Sequence, residues 1–228
     1  MLVLAAMSCG SRPAPADTTG PGAAIPPDRS SARALPVPAP VGEPRIVALG
    51  DSLTAGLGLP REMAFPAQLE RKLAQRGHPI AVANAGVSGD TSADGLRRAN
   101  WALEGNVKLL ILALGANDGL RGLPPAQMKK NLQGIIHRAH QRGVPVLLAG
   151  MEAPPNYGEQ YAAAFRQVFQ DLARENKVTL EPFLLQGVAG VVDLNQGDGI
   201  HPTSEGAARI ADLLLPTVEE MIEPTRAK

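Results

Sequence analysis

Val107-Lys-Leu-Leu-Ile-Leu-Ala-Leu114, followed by Gly115-Ala-Asn117-Asp118-Gly119, is the stretch on which the fold turns. An unbroken Val/Ile/Leu run, rather than an alternating one, reads as a strand covered on both faces. Shorter runs of the same kind occur at Ile46–Leu49, Ile80–Ala83, Val144–Ala149 and Lys177–Leu180, making five candidate strands. Helical periodicities lie between them. After Leu123-Pro-Pro, residues Met128, Leu132, Ile135, Ile136 and Ala139 recur on one helical face, with Pro125 suited to the first turn and Gly143 to the end. A second helix is expected from about Tyr157 to Asn176, with Phe165, Val168, Phe169 and Leu172 on its stripe. The last opens at Pro202 and carries Ile210, Leu213, Leu214 and Val218. Strand–helix alternation at this spacing implies a parallel sheet with helices on both faces. Right-handed crossovers then give an α/β fold, a flavodoxin-like three-layer α/β/α sandwich around a central five-stranded parallel sheet. Ligands in such folds sit beyond the carboxyl ends of the strands.

Composition narrows what the ligand is. The 228 residues carry 22 Lys+Arg against 22 Asp+Glu, so no broad basic face is available for phosphate neutralisation, and no nucleic-acid partner is expected. Only seven aromatics occur, too few for a base-stacking platform. A single Cys excludes an internal disulfide framework and a Cys-based zinc site. No apolar run approaches the roughly 20 residues needed to cross a bilayer.

Composition also divides the chain. Residues 10–44 hold 9 of the 21 prolines among Ala, Ser, Thr and Gly, with little to bury, and are expected to form a disordered tether. Before it, residues 1–9 form a short apolar run ending in small residues and Cys9. This segment resembles the tail of a bacterial lipoprotein signal, in which the Cys is lipidated. No Lys or Arg precedes the run, which is shorter than a full signal core, and Ala6 stands where Leu is usual. A start assigned too far downstream accounts for all three departures, while an inert Cys in an untidy terminus is the alternative. The expectation is an exported protein, periplasmic or lipid-anchored to the bacterial envelope, with one folded domain over 45–228.

Four segments carry the polar residues that chemistry needs. Gly50-Asp-Ser52-Leu-Thr-Ala-Gly56 follows the first strand and presents a Ser on a tight turn, although a helix cap explains it equally well. Asn84-Ala-Gly-Val-Ser-Gly89-Asp90-Thr-Ser92 follows the second and lets backbone approach a ligand, or is simply a capped loop. Asn117 follows the longest strand, where its amide can donate to a developing oxyanion, or it belongs to an ordinary Asn-Asp-Gly turn. In Asp198-Gly-Ile-His201-Pro-Thr203, His201 has a carboxylate three residues earlier. Asp198 can hold one ring nitrogen while the other faces Ser52. An Asp-x-x-His metal pair is the alternative, and no second cluster supports it. His78, His137 and His140 are expected to be solvated.

Together, and in this order, the four segments resemble the blocks of the SGNH (GDSL-type) hydrolase family, over Ile46 to about Glu223. Pro154-Pro-Asn-Tyr-Gly158 and Gly119-Leu-Arg-Gly122 add to the likeness. The resemblance implies Ser52 as nucleophile, His201 as general base and Asp198 as its orienting carboxylate. It further implies an oxyanion hole from the N–H groups of Ser52 and Gly89 and the side-chain amide of Asn117. Asp51 reads as a partner of the turn rather than a triad member. The implied activity is hydrolysis of a small-molecule acyl ester or thioester, aryl esters and lysophospholipids included, through an acyl-enzyme, with no cofactor. A monomer is expected. Gly119, Leu120, Arg121, Gly122 and Leu123 are expected to form a loop walling the acyl groove, or else a plain connection to the next helix. Carbohydrate O-deacetylation is the alternative activity, and a non-enzymatic lipid- or glycan-binding module is the rival class.

Overall fold

The structure, a computed structural model, describes residues 42–223. Cys9, the signal-like segment and nearly all of the tether lie outside the described residues. Five strands, β1 (Arg45–Gly50), β2 (Ala81–Gly86), β3 (Val107–Ala113), β4 (Val146–Ala149) and β5 (Thr179–Glu181), form one sheet in the order β2-β1-β3-β4-β5. Every pairing is parallel. The helices are α1 (Ser52–Ala55), α2 (Phe65–Gln75), α3 (Ser92–Ala102), α4 (Ala116–Leu120), α5 (Pro125–His140), α6 (Glu159–Asn176) and α7 (Ser204–Ile222).

The strand order explains where the helices lie. From β1 the chain steps one way to β2 through α2, then reverses and passes β1 to reach β3 through α3, continuing outward to β4 and β5. Right-handed crossovers in opposite directions place their helices on opposite faces of the sheet. The packing agrees: α2 lies against α7, while α3 packs on α5 and α5 on α6. The reversal falls between β1 and β3, the switch point at which open α/β sheets bind ligands.

The core is the sheet's centre. Leu109, Leu110, Ile111 and Leu112 of β3 are fully buried, as are Leu132, Ile135 and Ile136 of α5. Each such side chain contributes about 1.5–3 kcal/mol by leaving water. Full cover on both faces holds only for the central strands. In the edge strand β2 only Val82 and Ala85 are buried, and β5 is nowhere fully buried.

Boundaries shift for local reasons. β4 begins at Val146 because Pro145 has no N–H to give the ladder, though its carbonyl still accepts from Leu110 N at 3.0 Å. The helix expected from Tyr157 starts at Glu159, after a 3₁₀ turn at Pro155–Tyr157 and a break at Gly158, whose φ is +84°. The helix expected from Pro202 starts at Ser204, with Thr203 as its N-cap accepting from Gly206 N at 3.3 Å. Among the described residues no helix is long and apolar enough to cross a membrane.

Candidate active site

At the end of β1 the chain turns straight into α1, a helix of four residues. Asp51 caps it, its Oδ1 accepting from Leu53 N at 3.0 Å, and Gly56 ends it in the left-handed region at φ +76°. Ser52 is thereby the first helical residue, at the carboxyl edge of the sheet and half-buried.

The His201 loop reaches Ser52 from the other end of the chain. Gln196 N donates to His201 O at 2.7 Å, and Thr203 N donates to Leu194 O at 2.9 Å. Between them Gly199, at φ +71°, makes the turn. The side-chain amide of Gln196 donates to Leu57 O at 2.7 Å and to Pro202 O at 2.9 Å, tying this loop to the segment after α1. Asp198 Oδ1 accepts from the N–H groups of Ile200 and His201 at 2.9 and 3.0 Å. Its Oδ2 lies 2.6 Å from His201 Nδ1, and His201 Nε2 lies 2.9 Å from Ser52 Oγ.

Protons follow from this geometry. The backbone N–H of His201, the His201 ring and the Ile200 N–H hold the Asp198 carboxyl well below the usual carboxylate range. An ionised carboxylate only accepts, so Nδ1 carries a hydrogen, and in the neutral imidazole Nε2 then has its lone pair toward the Ser52 hydroxyl. This is the arrangement in which an imidazole removes a hydroxyl proton.

The remaining predicted donors arrive on neighbouring strands. Gly89 follows β2 in a turn closed by Asp90 N donating to Val87 O at 3.1 Å, and its φ of +83° requires glycine. Asn117 stands in the first turn of α4, after β3, and its Nδ2 donates to Asp51 Oδ2 at 3.4 Å. Burial pushes the Asp51 carboxyl up to about 6, against the opposing pull of Leu53 N–H, the Asn117 amide and His201. Ser52, Gly89, Asn117 and His201 line one cavity of about 340 Å³. Its apolar wall comes from Leu53, Leu57, Leu120, Met151, Leu185 and Ile200, and Glu152 adds a carboxylate at the rim.

The segment 119–123 differs from a free loop. Gly119 and Leu120 complete α4, and Gly119 is buried, with Phe165 next to where its side chain would be. Tyr157 Oη donates to Leu120 O at 2.9 Å and Tyr161 Oη to Leu123 O at 2.8 Å. Arg121 donates to Gly89 O at 2.8 Å, and Gly122, at φ +61°, has the Tyr157 ring against it. Of these five residues only Leu120 lines the cavity. His137 and His140 are exposed, whereas His78 is half-buried, its Nε2 3.9 Å from Glu219 Oε1.

Sequence reasoning missed the Asp51–Asn117 contact, the Gln196 stitch and the apolar wall from Met151, Leu185 and Ile200. Each depends on segments far apart in sequence. Among the described residues no group of three or more His, Cys, Asp or Glu is placed to hold a metal ion.

Known proteins share this architecture and sequence. The model of the GDSL-like lipase/acylhydrolase family matches residues 48–209. Esterase TesA of Pseudomonas aeruginosa is 42% identical over 178 residues, covering 78% of this chain and 89% of that protein. A solved TesA structure superimposes with a TM-score of 0.74, covering 78% of this chain and 99% of that one, again at 42% identity. The arylesterase of Vibrio mimicus is 36% identical over 171 residues, 75% of this chain and 86% of its own. Thioesterase 1/protease 1/lysophospholipase L1 of Escherichia coli is 35% identical over 178 residues, 78% and 84% of the two chains. A match spanning most of the sheet, with relatives of this identity along the same span, means that the chain belongs to the GDSL-like lipase/acylhydrolase family.

Proposed function

We propose that this protein is a serine esterase that hydrolyses carboxylic esters and thioesters through an acyl-enzyme on Ser52. The observation that carries the reading is the Asp198–His201–Ser52 relay, 2.6 and 2.9 Å long, opening on an apolar cavity. The names of the relatives, esterase, arylesterase and thioesterase/lysophospholipase, support the same class. His201 takes the Ser52 proton as Oγ attacks the acyl carbonyl. The oxyanion is held by the N–H groups of Ser52 and Gly89 and by the Asn117 amide. Collapse breaks the bond to the alcohol or thiol, which leaves with the proton from His201, and water repeats the cycle.

The wall of leucines, Met151 and Ile200 favours acyl chains longer than acetyl, since each buried methylene contributes about 0.8 kcal/mol. Hydrolysis of p-nitrophenyl acetate, octanoate and palmitate tests this. Highest kcat/KM on octanoate or palmitate is expected, together with loss of turnover in Ser52→Ala. Highest kcat/KM on acetate would overturn the chain-length reading, and full turnover by Ser52→Ala would overturn the nucleophile. We also propose that Cys9 is acylated and that residues 10–44 space the enzyme from an envelope membrane. Cys9 behind Ala-Ala-Met-Ser supports this. Incorporation of labelled palmitate that Cys9→Ser abolishes is the expected result.

A further inference from the structure

One guanidinium near the site has no part in the steps above. Arg98 lies in the second turn of α3 with its side chain only 16% exposed, and its fork is engaged on three sides. Nε donates to Asp90 Oδ2 at 2.7 Å, one terminal nitrogen to Ala85 O at 2.6 Å and the other to Gly50 O at 2.7 Å. These acceptors share a purpose. Gly50 ends β1, directly before Asp51 and Ser52. Ala85 is the penultimate residue of β2, and Asp90 follows Gly89. Gly50 O also accepts from Val87 N at 3.0 Å, within the turn that holds Gly89.

The ladder between β1 and β2 stops at the Gly50–Gly86 pair. Beyond it the Val87 N–H bond to Gly50 O is the backbone's last tie between the two strand ends, and it does not reach the residue after Gly89. A single planar group bonded to both strand ends and to Asp90 extends that tie to the far side of the Gly89 turn. We infer that Arg98 is a positioning residue for the oxyanion hole, setting the Ser52 turn against the Gly89 turn so that their N–H groups converge on one oxygen. This rests on the Ser52 reading above. Arginine is required by geometry: Lys would keep a charge opposite Asp90, but its ammonium cannot reproduce a rigid fork reaching three acceptors. The same helix is fastened at its start, where Ser92 N and Oγ donate to Asp118 at 2.7 and 2.6 Å, beside Asn117. α3 therefore touches the supports of all three proposed donors.

The test measures kcat and KM of Arg98→Lys and Arg98→Ala on p-nitrophenyl octanoate. Active sites are counted by exhaustive fluorophosphonate titration, and folding is followed by thermal melting. Displacing the donors by a fraction of an ångström to an ångström should lower kcat per titrated site about 10- to 100-fold, while KM changes by no more than about twofold. If Arg98→Ala does not fold, Arg98→Lys decides. A folded variant whose kcat per titrated site stays within about twofold of wild type overturns the inference, as does a loss that only tracks the number of titrated sites. Ser52→Ala in the same assay separates the two readings. Turnover surviving in Ser52→Ala defeats the nucleophile assignment, whereas a dead Ser52→Ala beside an unimpaired Arg98→Lys defeats only the role given to Arg98.

Discussion

Asp51 is 1% exposed, yet it stands next to the proposed nucleophile, with its carboxyl pushed by burial up to about 6. Its ordinary value is 3.8, so the folded state holds this proton more tightly than the unfolded chain does. The stability it contributes is complete below 3.8 and is lost as pH rises through about 6. A shift of this size corresponds to about 3 kcal/mol. Urea unfolding at about pH 4 and about pH 7.5 should therefore show wild type losing up to about 3 kcal/mol more than Asp51→Asn over that interval. Parallel pH dependence of the two proteins would contradict this. Removing the proposed oxyanion donor in Asn117→Ala should lower kcat about 10²–10³-fold, seen in steady-state kinetics on an aryl ester. The sequence makes Ser52, Asn117, Asp198 and His201 conspicuous because each follows a strand or precedes a helix. It leaves Asp51 reading as a turn residue, and the cap at Leu53 N agrees with that. Its second contact, to Asn117 66 positions away, exists only once β1 and β3 lie side by side.

Among the elements, α1 depends most on its neighbours, since four residues cannot hold a helix unaided. β2 lies so close beneath it that a Cβ on Gly86 would sit 2.2 Å from Ala55 N and 2.7 Å from Ala55 Cα. Backbone has to move to admit that atom, so Gly86→Ala should cost about 1–3 kcal/mol and displace Ser52 as well. Leu132→Ala in α5, a buried truncation away from the cavity, should cost about 2–5 kcal/mol. Comparing kcat per titrated site in the two variants separates packing from placement. Gly86→Ala should lose activity beyond its loss of folded protein, and Leu132→Ala should not. Equal kcat per site would refute the dependence of α1 on β2. The long helices were legible from their apolar stripes. The shorter α2 and α3, 11 residues each, were not, although the capping box of Thr91 and Asp94 is a sequence signal of the start of α3. Strand ends were blurred where apolar residues outrun the ladder, as at Val144-Pro145, or where an edge strand is half-exposed, as in β5.

For the whole molecule, the order of the four segments carried more information than any one of them. Ser52, Gly89 and Asn117 converge because the chain reverses direction between β2 and β3, bringing the ends of β2, β1 and β3 side by side, and His201 joins them from the loop before α7. That convergence is a property of topology, and parallel pairing with right-handed crossovers is what made it readable in advance. The start of the sheet also gives the proposed domain boundary a test. The sheet begins at Arg45, so a protein of residues 45–228 should melt as the full chain does and keep its kcat on p-nitrophenyl octanoate within about twofold. A large loss of either would mean that the Pro-rich segment contributes to the domain. Every role proposed for the site depends on acyl transfer through Ser52. Mass spectrometry of the full chain after reaction with a fluorophosphonate, followed by peptide mapping and assay of the same sample, tests it most directly. One phosphonyl group per chain is expected, on Ser52, with esterase activity lost in proportion to its incorporation. Activity persisting in chains fully labelled at Ser52, or lost through labelling elsewhere while Ser52 stays free, would contradict it.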